Sequence, residues 1–352
     1  MALAAVTTTM VLGTTCYSGL KTEISEDSWM KLSFLGQAHF KYEDKAADQE
    51  DFYLRRGRII LSGQVADGIK FFAETDNDNA GKNGTSNVST DIQDAFIDFR
   101  LLETDFAEVW IAGGLILLPF SFENKSSAAS LLGIDYNAEV VKFVNSFVWR
   151  DYGAELHGNL GKKVAYHVGA FDGYDPYSTG TIEKNEKAAL RYTGHIAVNV
   201  LGDAQTGWFY SQDRLADGNY ISLGAGFDTQ EKATRTISTN KNSAVQNSDA
   251  WVLDVQSGFD IGIVDLTVNA AYYDWDNGLF AGNTAFVESG ARIDKVELTG
   301  KWSLVDPDTG KDTTDYTAGM NYYFKKQNTK VGAEFRWGDS NDTILCGVQV
   351  LL

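Results

Sequence analysis

The chain has 352 residues, with 30 basic against 48 acidic side chains and a formal charge of -18. That balance excludes a nucleic-acid binder, which needs a basic face to displace counterions. With 34 Gly, only 3 Pro and 12% aromatics, the composition suits one large barrel as well as two or three soluble domains.

The N-terminal stretch "MALAAVTTTMVLGTTCYSG" is weakly apolar and uncharged. It reads as a signal peptide over residues 1–18 whose basic start lies upstream. Residues 19–28 read as a periplasmic N-terminal segment, and 29–352 as a single β-barrel. Cys16 falls in the signal, so Cys346 has no partner for a disulfide, and no Cys/His spacing of a metal site occurs. No run of about 18 apolar residues is present to form a membrane-spanning helix.

From residue 29 the dominant period is two. In "KLSFLGQAHFKY", Leu32, Phe34, Gly36, Ala38, Phe40 and Tyr42 share one face, while Lys31, Ser33, Gln37, His39 and Lys41 share the other. Such alternation marks a strand with one apolar and one wet face, and its length matches the roughly 9–11 residues a tilted strand needs to cross a bilayer. The same pattern predicts strands at 29–42, 52–65, 68–75, 92–102, 107–118, 147–158, 163–173 and 187–200. It continues at 219–228, 249–259, 263–274, 284–292, 294–304, 315–325, 328–337 and 343–352. Sixteen is an even number, as an antiparallel bacterial barrel requires. Short connections ("ADG", "GK", "KQN") alternate with long polar ones, and 201–218 is the one short-side connection that is too long. A soluble sandwich or solenoid would instead pack a Leu/Ile core. Here the apolar face mixes Gly, Ala, Tyr and Trp, with Trp29, Tyr42, Trp302 and Trp337 near strand ends where an interfacial girdle lies.

Several segments, in order, resemble the phosphate-selective porin O and P family. "LRRGRIILSG" (54–63) is similar to its Arg-Arg-x-Arg strand. "GGLILLPFSFEN" (113–124) is similar to its Gly-Gln-Phe-Lys-x-Pro-Phe-Ser-x-Glu segment. "WRDYGAELHG" (149–158), "GAFDGYD" (169–175) and "YTAGMNYYF" (316–324) also match. The resemblance implies a trimeric outer-membrane porin of a Gram-negative-type bacterium, with sixteen antiparallel strands and a third loop folded inward. It also implies basic side chains that pass anions such as phosphate. Leu117 stands where the family has Lys, and the chain ends "VQVLL" where an aromatic is usual.

Parity assigns the lumen. Lys31, Lys41, Arg56, Arg58, Lys70, Arg100, Arg191, Arg292 and Lys295 are the inward cations. Glu74, Asp94, Asp98, Glu155, Asp254, Asp265, Glu288 and Glu334 are the inward anions. The two sets balance, whereas a dedicated anion channel needs a basic excess. Arg56 and Arg58 lie about 7 Å apart on one strand face. They are either rungs for an oxyanion or partners of Asp94 or Asp98. Arg55 has lipid-facing parity unless a bulge intervenes. The third loop, Pro119 to Ser146, carries Phe120, Glu123, Asn124 and Lys125, with its apolar side set to pack on the wall and Glu123 and Lys125 to face a constriction. It could equally cover the barrel mouth or touch a neighbour. Leu115 and Leu117 continue the lipid-facing alternation up to Pro119. His39, His157, His167 and His195 read as solvated lumen side chains rather than metal or catalytic groups. No catalytic constellation, cofactor motif or phosphate loop is found. The function expected is a passive diffusion channel for small hydrophilic solutes and ions. The rival is a structural or partner-binding barrel with an occluded lumen.

Overall fold

The structure, a computed structural model, describes residues 19–47, 49–84, 89–143, 149–174, 189–235, 245–277 and 280–352. The expected signal peptide lies outside them. Among the described residues seventeen strands form: β1 Leu20–Ser25, β2 Ser28–Glu43, β3 Glu50–Ala66, β4 Ile69–Asp76, β5 Asp91–Glu103, β6 Ala107–Leu117, β7 Arg150–Leu160, β8 Val164–Phe171 and β9 Arg191–Leu201. They continue with β10 Tyr220–Arg235, β11 Val245–Ile261, β12 Val264–Asp276, β13 Ala281–Ile293, β14 Val296–Pro307, β15 Thr313–Lys325, β16 Thr329–Gly338 and β17 Thr343–Leu351. Strands β2 to β17 match the sixteen spans read from the alternation. Their ends differ by a few residues, most at the β10–β11 hairpin, which runs further than expected.

Each strand pairs antiparallel with the next, and β17 closes on β2 from Thr343↔Glu43 to Leu351↔Leu35. Closure gives each of β2 to β17 two neighbours, the condition for a sheet in lipid, where an open edge would leave N–H and C=O groups unpaired. The additional strand β1 lies within the N-terminal segment. It pairs with the start of β2, Leu20↔Leu32 to Ser25↔Ser28, just past the point where β17 ends.

The alternation read from sequence is the alternation of exposure. Along β2, Leu32 and Phe34 are 47% and 43% exposed, while Ser33, Gln37 and His39 between and beyond them are buried. Apolar side chains thus point out to lipid and polar ones into the barrel. On β6 the outward pattern stops at Gly113: Leu115 and Leu117 are 5% and 1% exposed, not lipid-facing, in the last residues before the chain leaves the sheet at Pro119. Gly114 explains part of this irregularity. Its φ is 141°, and a Cβ there would sit 2.1 Å from the Ala95 carbonyl oxygen of β5. Only glycine allows that approach.

Inside the barrel the contacts are dense. The third loop leaves β6 through Pro119 and forms the four-residue helix α1, Phe122–Lys125. Ser121 caps it and Asn124 reaches back in a reciprocal box. Phe120 and Phe122 pack with Val252, Tyr273, Trp275 and Phe286, which point inward from β11, β12 and β13. Further along, the loop backbone is held by inward side chains of β2, β16 and β17. Gln37 and Gln349 donate to the Ala128 and Ala129 carbonyls, both at 2.9 Å, and Lys330 donates to the Leu131 carbonyl at 2.7 Å.

Candidate pore lining and constriction

The second-strand arginines are where parity put them, buried and inward, but their partners differ from those expected. Arg58 donates to Glu74 and Asp76 of β4, both at 2.9 Å. Arg56 donates to Gln37 at 2.7 Å and to Asp135 of the third loop at 2.8 Å. Neither meets Asp94 or Asp98. The register explains it: β4 lies between β3 and β5 and pairs Ile60 with Glu74, so carboxylates of the nearer strand reach Arg58 first. Asp94 instead receives Arg150 of β7 at 2.8 Å, and Asp98 meets His157 at 3.0 Å.

Arg55 is accounted for by a bulge. The β2–β3 register runs Gln37↔Arg56 and then Ala38↔Leu54, leaving Arg55 as the extra residue. A bulge turns one residue out of the alternation. Arg55 bonds Asp135 and Asp78 rather than facing lipid. Asp135 therefore joins two adjacent guanidiniums. Burial alone would raise its pKa, but Arg56 and Arg55 outweigh that and hold its carboxyl well below the usual carboxylate range.

The remaining predicted cations are dispersed. Lys70 stands over the Trp110 ring, 4.0 Å from its centroid. Arg100 lies beside the Asp67-Gly68 turn, bonded to Asp67 and Glu103, and so belongs to the barrel rim. Arg191 forms a two-pronged pair with Asp228 at 2.6 and 2.8 Å, and Thr193 donates to the same carboxylate.

The histidines are not solvated. His39, His157, His167 and His195 are all buried, and the last three sit in register on β7, β8 and β9. His157 meets Asp98, His167 meets Glu155, and His195 meets Asp254. Loop aromatics pack on three of them, Trp208 on His157 and His167 and Tyr210 on His167 and His195, contacts that strand parity does not report. Among the described residues no cluster of three or more His, Cys, Asp or Glu is arranged to hold a metal.

The same packing governs the loop residues. Phe120 is part of the apolar cluster, and Asn124 serves the cap. Glu123 and Lys125 are both 0% exposed rather than open to a passage. Glu123 accepts from the Asn137 N–H at 2.6 Å and from Gln212, and burial together with the nearby Glu288 pushes its pKa up to about 8. Lys125 lies 3.5 Å from Glu155 and 4.1 Å above the Trp208 ring centroid. Burial lowers its pKa against the pull of Glu155.

Sequence reasoning missed Asp135, whose loop position no periodicity reports. It also omitted Arg150, although that residue stands in the quoted "WRDYG" stretch. Its parity is that of the exposed Tyr152 and Leu156, so alternation alone points it outward, and its pairing with Asp94 follows only from the tertiary structure.

A closed, sixteen-stranded antiparallel barrel with a charged inner wall and an apolar outer band is the architecture of an outer-membrane-type β-barrel. The barrel superposes on a mutant of the Rh. blastica porin with a TM-score of 0.60 and 15% identity, covering 92% of this chain and 100% of that one. Salmonella typhi OmpF in complex with daunomycin gives a TM-score of 0.62 at 11% identity, over 93% and 98%. No curated protein sequence matches. The family model of the phosphate-selective porins O and P matches residues 32–284, well over half of the chain, and the protein belongs to that family. It is an outer-membrane porin channel.

Proposed function

We propose that this porin passes small hydrophilic solutes and ions by passive diffusion in the outer membrane of a Gram-negative bacterium, as a homotrimer. Arg56, Arg58, Lys70, Arg100, Arg191, Asp94 and Asp98 would tune its lining, and the third loop would form its constriction. Anions such as phosphate are within its range, but selectivity for them is weak. The observation that carries this is charge pairing. Arg56, Arg58, Arg150 and Arg191 each contact a wall or loop carboxylate, so the lumen carries alternating signs rather than a basic ladder. Successive unpaired cations are what a dedicated anion filter uses to replace a hydration shell.

Reversal potentials across a planar bilayer in a KCl gradient test the reading. A small potential of either sign is expected. A strongly anion-selective potential, with chloride current blocked by millimolar phosphate, would overturn it. The packing of loop side chains inside the barrel favours one second reading, a structural barrel with an occluded lumen. Folded protein that inserts but conducts no ions would select that reading.

A further inference from the structure

The connection between β9 and β10, residues 202–219, belongs to the end of the barrel where the other connections are short, such as 67–68, 262–263 and 294–295. It is long because it does not stay at the rim. Tyr210 forms a parallel bridge with Ser126 of the third loop: its N–H donates to the Lys125 carbonyl and its carbonyl accepts from the Ser127 N–H, both at 2.9 Å. Two residues further, the Gln212 side-chain oxygen accepts from the Leu132 N–H at 3.0 Å, and next to it the Asp213 N–H donates to the Ser130 carbonyl at 3.1 Å. The segment also reaches walls far apart around the barrel. Phe209 packs on Phe72 of β4, the Gln212 carbonyl accepts from Asn269 of β12, and Asp213 accepts from the Tyr323 hydroxyl of β15 at 3.1 Å.

We infer that residues 202–219 are a second constriction element, entering from the turn end and docked on the third loop, so that two segments from opposite ends jointly set the size limit. The inference rests on the channel reading above. Backbone bonding between the segments fixes the third loop from below, which wall contacts alone would do only at side-chain precision. The segment also roofs a cavity of about 420 Å³ at the turn end, where Trp208 faces Trp110, Lys70 and His157. A solute entering from that end meets this vestibule before it meets the third loop.

Two experiments decide it. Replacing residues 204–217 by a short Gly-Ser turn is expected to raise single-channel conductance severalfold and to admit larger sugars in liposome swelling. A folded, heat-modifiable barrel with unchanged conductance and size limit would overturn the inference. Should that variant not fold, Ser126→Cys with Tyr210→Cys tests the docking directly. Partners in adjacent strands lie within disulfide reach. The cross-link is expected to form on mild oxidation of the folded porin, with equal conductance oxidised and reduced. No cross-link, or a conductance that depends on it, would overturn a fixed docked segment. Failure here leaves the third-loop constriction intact if Asp135→Asn still alters the current. Failure of the channel reading abolishes conductance in every variant.

Discussion

Asp135→Asn isolates the contact that ties the third loop to the arginine strand. The carboxylate sits 2.8 Å from an Arg56 nitrogen and also bonds Arg55. At that separation a unit charge pair gains roughly 6 kcal/mol with an effective dielectric constant of about 20. Desolvation offsets much of this, and removing one partner of a buried pair costs about 3–5 kcal/mol. Asp135 keeps 24% side-chain exposure, whereas Arg56 is 2% exposed and Arg55 retains Asp78. The loss therefore belongs near the lower end, about 3 kcal/mol, concentrated on loop anchoring rather than on the barrel. Asn preserves the shape, so the change is one of charge: two guanidiniums lose their shared carboxylate. The assay is paired, reversal potential in a KCl gradient and open-channel noise at fixed voltage. The potential is expected to shift toward anions and the noise to rise. An unchanged potential with unchanged noise would refute the claim that Asp135 both neutralises and pins this part of the lumen.

Glu123→Gln should remove a pH dependence. With its pKa raised from the ordinary 4.5 to about 8 by burial and Glu288, neutral Glu123 contributes stability that is whole below 4.5 and lost as pH rises through 8. Channel noise in the native protein is expected to grow across that window and to stay flat in the variant, which single-channel recordings between pH 4 and 9 would check. Arg58→Ala leaves Glu74 and Asp76 with one guanidinium fewer. A loss of about 3–5 kcal/mol in thermal unfolding and a cation-ward reversal potential are expected. Gly114→Ala places a methyl 2.1 Å from the Ala95 carbonyl at a φ that L-residues avoid. Separation of β5 from β6 should show as a lower yield of heat-modifiable, folded barrel, while the control Gly113→Ala, whose Cβ meets open space, folds normally.

Strand number, order and the inward or outward sense of most side chains were legible in the sequence because they are local. A barrel strand has one lipid face and one wet face, so composition at period two reports orientation without any knowledge of neighbours. Arg58 and His39 were assigned inward on that ground, and the structure places both there. What each inward residue touches is not local. The partners of Arg58 follow from which strand lies alongside and at what register, and the inward turn of Arg55 follows from one extra residue in the β2–β3 pairing. The meeting of Tyr210 with Ser126 depends on two irregular segments that carry no periodicity and approach from opposite ends. By itself, then, the sequence determined a sixteen-stranded porin barrel and its wet face, because alternation is imposed by lipid on every strand. The tertiary structure alone decided which charges are paired and what fills the lumen, because those depend on register and on the path of loops that no solvent boundary patterns.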